Sequence, residues 1–434
     1  MISLTKQLNI LVMLKLFKTG CFLLLFQQIG FSQILTLETC YEQAEKNHPS
    51  AAQRTMINDA LEMQTKQINR NYLPQLAVNG QASWQSQVIE IKLPLPGFNF
   101  DTPAKDQYRL TLDMNQTIWD GGINTKQKEL AKSAAQADQG RLEVELWNIR
   151  RQVHQFYFGA LLADNQRAQI MTVRTDLLAK RKRVADAIEN GVAIKSDLLR
   201  FDAKLLELQQ QENELISRKK SALEGLSLLT GNNIESNSSL SSPKALAKNG
   251  EKVTRPELNL FDAQENLIES QIKFIQVKNN PKFGAFAQGG FGRPGFNMLS
   301  NAFQPFFIGG IRLQVPLTHF YSGQSGLEIK QLKVQNQRIE RQKESFLLAN
   351  EIQTKQLQNE INRLEQLLES DKELLLLREK ILKTAEEQWQ NGVTTANDYL
   401  EEVNQVELVR QKIALHEVLL AQTGQELGWV LGSE

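Results

Sequence analysis

A chain of 434 residues with 41% hydrophobic side chains and two cysteines is neither a disordered tail nor a disulfide-built mini-domain. Its 50 basic side chains stand against 49 acidic ones. That balance gives no electrostatic reason to expect nucleic acid or an anionic surface as a partner.

Residues 1–32 read as a secretory signal peptide. Lys6, Lys15 and Lys18 make a positive start without an acid, Cys21 to Phe26 is a short apolar run, and Gly30-Phe31-Ser32 offers small residues before a cut at Gln33. The run is too short for a membrane anchor. Thr19-Gly20-Cys21 does not make a lipoprotein box, because Lys18 stands where an aliphatic residue belongs and the apolar run follows the cysteine. Beyond the signal, Cys40 is the one cysteine, so no internal disulfide is expected, and 47 basic residues face 49 acidic ones. No later stretch has the apolar length of a membrane helix. An exported chain of this kind is either soluble or a barrel.

In chain order, Leu37 to Asn71 predicts a helix. Strands follow at about 75–85 and 108–118. In the first, Leu76, Val78, Gly80, Ala82 and Trp84 alternate with Gln75, Ala77, Asn79, Gln81, Ser83 and Gln85. In the second, Tyr108, Leu110, Leu112, Met114 and Ile118 alternate with Arg109, Thr111, Asp113, Asn115 and Thr117. Such period-two alternation suits a barrel wall with lipid outside and water inside, and equally a soluble sheet with one buried face. Residues 123–189 predict a helix about 100 Å long at ~1.5 Å per residue. A turn at Asn190 precedes a return helix, 197–230. Its stripe of Leu198, Phe201, Leu205, Leu208, Glu212, Leu215, Lys219, Ala222, Leu226 and Leu229 has coiled-coil spacing, and the polar members suit a wall with a wet side.

The pattern then repeats. A Ser/Asn-rich connector at 232–249 leads to a helix from Glu257 to Asn279 and strands at about 282–291 and 307–318. Phe286 breaks the alternation of the third strand. A long helix to Asn391 and a second return helix follow, the latter striped by residues such as Tyr399, Val406, Val409, His416, Leu420 and Leu427. All eleven prolines lie within 49–103, at 243 or within 256–316, which leaves both long tracts free to be helical. Asn190-Gly191-Val192 with Asp197 and Leu199 recurs 201 residues later as Asn391-Gly392-Val393 with Asp398 and Leu400. Trp119-Asp120-Gly121-Gly122 meets Phe320-Tyr321-Ser322-Gly323 at the same offset, and Pro49 and Pro74 meet Pro256 and Pro281 at 207. The chain reads as a tandem duplication, 33–231 and 250–434. Trp84, Tyr108, Trp119 and Phe320 fall near strand ends, where an interfacial girdle would place them. Four strands cannot close a membrane barrel, and open edges are not tolerated in lipid, so a barrel requires further copies; strand counting does not fix how many.

The export signal, the duplicated helix–strand–strand–helix–helix order, Arg255-Pro256-Glu257-Leu258 opening the second copy, the turn at Gly121-Gly122 and the two Asn-Gly-Val turns together resemble the TolC family of outer-membrane factors. The resemblance implies an α+β membrane protein: a homotrimer with a twelve-stranded outer-membrane β-barrel continuous with a long periplasmic α-helical barrel. It also implies a passive duct of a tripartite efflux or type I secretion system, docked onto a periplasmic adaptor (membrane fusion protein) and an inner-membrane pump. A periplasmic coiled-coil adaptor or structural protein is the alternative reading.

The resemblance puts a gate at the periplasmic tip, on Asn190, Gly191, Val192 and Asp197 and on Trp389, Asn391, Gly392, Val393, Thr394 and Asp398. Asp197 falls where the family places a gating aspartate, and Trp389 where some members have tyrosine. Thr394 stands where some members have a gating arginine, which puts a charged lock in doubt. By their own positions Asp197 and Asp398 lie in the first turn of a helix, where the dipole favours a carboxylate, with Ser196 or Asn397 as candidate caps. In a trimer, six such carboxylates would make the entrance acidic. His48, His154, His319 and His416 are scattered without ligand spacing, and no phosphate loop, nucleophile elbow or paired-carboxylate motif is found, so no metal, cofactor or enzymatic activity is expected.

Overall fold

The structure, a computed structural model, describes residues 34–89, 104–191, 193–243, 253–298, 300–317 and 321–432. The expected signal, Val192, His319 and Phe320 lie outside them.

The opening helix is broken, not continuous to Asn71. Helix α1 covers Leu37–Asn47, a 3-10 turn covers Pro49–Ala52, and α2 covers Gln53–Arg70. Pro49 causes the break. It has no N–H to give and forces the preceding residue out of the helical region, so His48 is extended at φ −64°, ψ 137°. The His48 ring then accepts from the Ser50 amide at 3.2 Å.

Strands β1 (Gln75–Trp84) and β2 (Asp106–Trp119) lead into α3 (Ile123–Glu189) and α4 (Lys195–Thr230). After the connector come α5 (Pro256–Lys278), β3 (Lys282–Arg293), β4 (Gln304–Gln314), α6 (Gln324–Gln390) and α7 (Ala396–Leu431). Helices α3 and α6 each have 67 residues, and α4 and α7 each have 36. The last strand ends at Gln314 rather than at residue 318, because Pro316 has no amide for the ladder.

The four strands form one antiparallel sheet in the order β1-β2-β3-β4. The register lines up Val78, Leu112, Gly289 and Phe307 in one row and Asn79, Thr111, Gly290 and Phe306 in the next. The apolar rows are exposed: Val78 is 70% exposed, Ile311 69% and Phe307 73%. On the other face Asp113 accepts from Asn79, Thr111 and Gln288. Phe286 does point to this polar face, where Arg312 lies over its ring at 4.9 Å. The room comes from Gly310 opposite, whose Cβ would come within 3.1 Å of the ring. Phe306 is housed likewise against Gly290, with Arg109 at 5.6 Å from its centroid. The outer edges of β1 and β4 have no partner strand among the described residues. Trp84 and Tyr108 mark one end of the sheet and Trp119 the other, all exposed.

Helix α3 packs along α4 and α6 along α7, while α2 and α5 cover the part of α3 nearer the sheet. The polar members of the return-helix stripes do not face water. Glu212 lies 3.4 Å from Arg167 and 3.9 Å from Arg174 on α3, Lys219 lies 2.8 Å from Asp164, and His416 Nδ1 lies 2.6 Å from Asp371 on α6. Each is paired within the seam, which removes the penalty of burying it alone. A core of Leu37, Cys40, Leu142, Leu146, Val153, Tyr157, Phe158 and Leu226 joins α1 to α3 and α4. There the Tyr157 hydroxyl sits 2.8 Å from the Leu35 carbonyl and 2.7 Å from that of Ser241, and Leu35 bridges Leu240. The connector is thereby stitched to the start of the described chain. Burial pushes the Cys40 thiol up to about 12, well out of thiolate range. No helix among the described residues is long and apolar enough to cross a membrane.

Candidate functional site at the helical tip

The two helix reversals lie together at the end of the molecule away from the sheet. Each is built the same way. Asn190 and Asn391 end their helices, and their side-chain amides donate back to the carbonyls of Asp186 (2.8 Å) and Glu387 (2.7 Å). Gly191 and Gly392 follow at φ +74° and +71°, a conformation that an L side chain resists. Neither has an atom within 4 Å of where a Cβ would stand, so the need is conformational and not spatial.

The return helices start differently. Thr395 caps α7: its hydroxyl accepts from the Asp398 amide at 3.3 Å, and the Asp398 carboxylate accepts from the Thr395 amide at 3.1 Å and hydroxyl at 2.7 Å. This reciprocal box replaces Asn397 as the cap. The bonds from Thr395 hold the Asp398 carboxyl below its ordinary range. Helix α4 begins after Ile194 with no side-chain cap, so Ser196 does not cap either; Asp197 simply sits in its first turn, half-buried. Val393 is 72% exposed. Thr394 Oγ1 is buried and has no hydrogen-bond partner among the described residues.

Trp389 does not stand alone. Its ring stacks on Tyr399 with centroids 5.0 Å apart and planes 15° apart, and it also meets Phe201 at 5.6 Å. Phe201 comes from the first repeat, and Trp389 and Tyr399 from the second. Above this stack lies a polar hub. Lys180 of α3 donates to Glu386 of α6 at 2.9 Å and to the Tyr399 hydroxyl of α7 at 2.6 Å, and pairs with Asp176 at 2.9 Å. Burial would push the Lys180 ammonium down, but the bonds to Tyr399, Glu386 and Asp176 outweigh it and hold its pKa above the ordinary value. Burial raises the Tyr399 hydroxyl to about 12, even with Lys180 beside it. Arg200 donates to Asn397 at 2.6 Å, and Lys204 lies 3.2 Å from Glu407. Apart from the pair with Asp176, which lies within α3, these polar contacts cross the seam between the two hairpins.

The sequence pattern singles out neither Lys180 nor Glu386. Their partners lie about two hundred residues away, and neither belongs to a repeated motif. The signal present was the absence of a counterpart: at the repeat offset Lys180 meets Ile381.

No protein-family profile matches the chain, and no curated protein matches it. Solved structures do. The chain superposes on CusC, whose structures describe folding and transmembrane channel formation, with TM-score 0.68 at 14% identity over 92% of each chain. The outer membrane protein VceC of Vibrio cholerae gives 0.64 at 14% identity, over 92% of this chain and 96% of that one. The open-state MtrE outer membrane channel of Neisseria gonorrhoeae gives 0.62 at 14% identity, over 92% and 89%. Sheet, long helices and return helices together give this chain the fold of these outer-membrane channels.

Proposed function

We propose that the chain is one subunit of an outer-membrane export channel. Three copies join edge to edge, β4 of one to β1 of the next, to close a twelve-stranded barrel, and their helices continue it as a periplasmic tunnel. The observation that carries this is the sheet: an exposed apolar face, a polar face behind it and two edges without a partner strand among the described residues. In water such edges aggregate, and in lipid they are too costly to leave open. A coiled-coil adaptor would have no use for that face. The chain performs no bond chemistry; it is a wet duct whose energy comes from a periplasmic adaptor and an inner-membrane pump.

The tip is the gate. Its closed state rests on the aromatic stack and the Lys180 hub, not on a carboxylate–arginine lock, since Thr394 offers only an unpaired hydroxyl. Asp197, half-buried and without a side-chain hydrogen bond among the described residues, is the carboxylate best placed to set ion preference at the aperture.

Fractionation and cross-linking test the reading. A heat-modifiable oligomer in the outer membrane, with a cross-link ladder that stops at three, is expected. Recovery as a soluble periplasmic monomer would overturn it in favour of the adaptor. Deletion followed by a panel of drugs, detergents and metal ions assigns the cargo. Loss of a secreted protein with an unchanged panel would assign it to protein secretion.

A further inference from the structure

The polar face of the sheet has an unusual charge arrangement. Its strand positions carry three cations, Arg109, Lys282 and Arg312, and one carboxylate, Asp113. The carboxylate is already engaged by neutral donors, Asn79, Thr111 and Gln288. The cations are left without it. Arg109 and Arg312 lie over phenylalanine rings, and among the described residues neither they nor Lys282 has a carboxylate in ion-pair reach. Elsewhere arginines sit on carboxylates, as Arg181 does on Asp202 and Arg410 on Glu379 at 2.7 Å.

Two of these cations share a groove. It measures about 160 Å³ and is lined by Lys282, Gly284, Phe286 and Arg312 with the amides of Gln75, Asn115 and Gln314. Gly284 lies opposite Arg312, between Lys282 and Phe286; a Cβ there would stand 2.8 Å from the Gln116 carbonyl oxygen, so no side chain comes between the two cations. The groove therefore offers two positive heads, a flat apolar wall and neutral hydrogen-bond donors. A planar guanidinium held on a ring keeps its edge free for an oxyanion.

We propose that this groove is a binding subsite for organic anions with a flat apolar body, such as aromatic carboxylates or sulfonates, one per chain on the lumen wall. The proposal rests on the channel reading above, which turns the polar face inward. The anionic group lies between Arg312 and Lys282, and the flat body rests against Phe286. In a wet lumen such contacts are weak, which suits a site that must also release.

Blockade from one side tests it. The purified oligomer is reconstituted in planar bilayers, and naphthalene-1,5-disulfonate is added to the barrel side or to the tip side. Concentration-dependent block from the barrel side is expected. Arg312→Gln should raise the half-blocking concentration about tenfold and Lys282→Gln about threefold, as expected for losing one charge-assisted contact each. Benzyltrimethylammonium at equal concentration should leave the current unchanged. Block by both probes alike, or block unaltered in the Arg312→Gln and Lys282→Gln channels, would overturn the subsite while leaving the channel reading intact. No conductance at all from the unaltered protein would sink the channel reading itself, and the subsite with it. Should Arg312→Gln fail to assemble, Lys282→Gln and Phe286→Leu report on the same groove.

Discussion

Lys180 reaches from the first repeat to the Tyr399 hydroxyl of the second, 2.6 Å away, and so ties together two hairpins about two hundred residues apart in the chain. The same ammonium holds Glu386 and Asp176. Replacing it by Met leaves two carboxylates and a phenol without their shared donor. A loss of about 2–3 kcal/mol of local tip stability is expected for hydrogen bonds to a charged group. Lys180→Met should open more often in bilayer recordings and admit a large antibiotic that the unaltered channel excludes. Tyr399→Phe, which keeps the stack and removes one acceptor, should give a smaller effect in the same direction. Unaltered opening frequency in both variants would remove the hub from the gate.

Thr394 makes the opposite prediction. Its hydroxyl is buried without a partner among the described residues, so it contributes a desolvation cost and no bond there. Thr394→Val should leave closure unchanged and raise thermal stability, by up to ~1 kcal/mol on typical values. A leaky Thr394→Val channel would show that the hydroxyl finds a partner in the assembled tip.

His154 is a source of acid sensitivity. Its ring is buried beside Phe158, with Nε2 3.2 Å from the Gln422 carbonyl, and burial lowers its pKa to about 4 from 6.5. A base depressed in the folded state costs nothing above pH ~6.5, where it is neutral folded or unfolded. As pH falls from there toward 4 the unfolded chain takes the proton first, and stability drops by roughly 3 kcal/mol in all. Melting followed from pH 7 to 4.5 should show this loss, and His154→Asn should flatten it. Equal slopes for the two proteins would assign the acid sensitivity elsewhere.

Gly121 and Gly122 both have positive φ, yet they should respond differently. A Cβ on Gly121 would stand 2.6 Å from Asn280 Cβ and 2.9 Å from the Pro281 carbonyl, whereas one on Gly122 would meet nothing within 4 Å. Alanine at 122 costs about 1–2 kcal/mol of backbone strain. Alanine at 121 costs that and also pushes apart the joint where the strands of one repeat meet the helix-to-strand turn of the other. Assembled oligomer in the outer membrane, measured by blot, should fall far more for Gly121→Ala than for Gly122→Ala.

The four strands and the long helices were legible because each rests on a local cause: alternation, absence of proline, a glycine turn. The cap of α7 lies two residues earlier than the residue next to the aspartate suggests. Thr395-Ala396-Asn397-Asp398 is a capping box, and the threonine, not the asparagine before the aspartate, takes the cap. Phe286 looked like a broken strand because its neighbour is a matter of register: Gly310 is the reason it fits, and nothing local announces that pairing. The polar members of the heptad stripe were read as wet for the same reason. Only the facing helix reveals Arg167 beside Glu212 and Asp371 beside His416. The tip hub was the least legible part, since it joins residues that share no motif.

The two hairpins of a chain have equal lengths, 67 and 36 residues each, so three chains would ring the tunnel with six near-equivalent units. The hub breaks that equivalence. Lys180 has isoleucine at its counterpart, Ile381, and Arg200 has Glu401, so neither contact can be copied between neighbouring chains. If three chains ring the tunnel as proposed, a hexagon of hairpins would thus be fastened like a triangle, with three joints pinned by this hub and three without it.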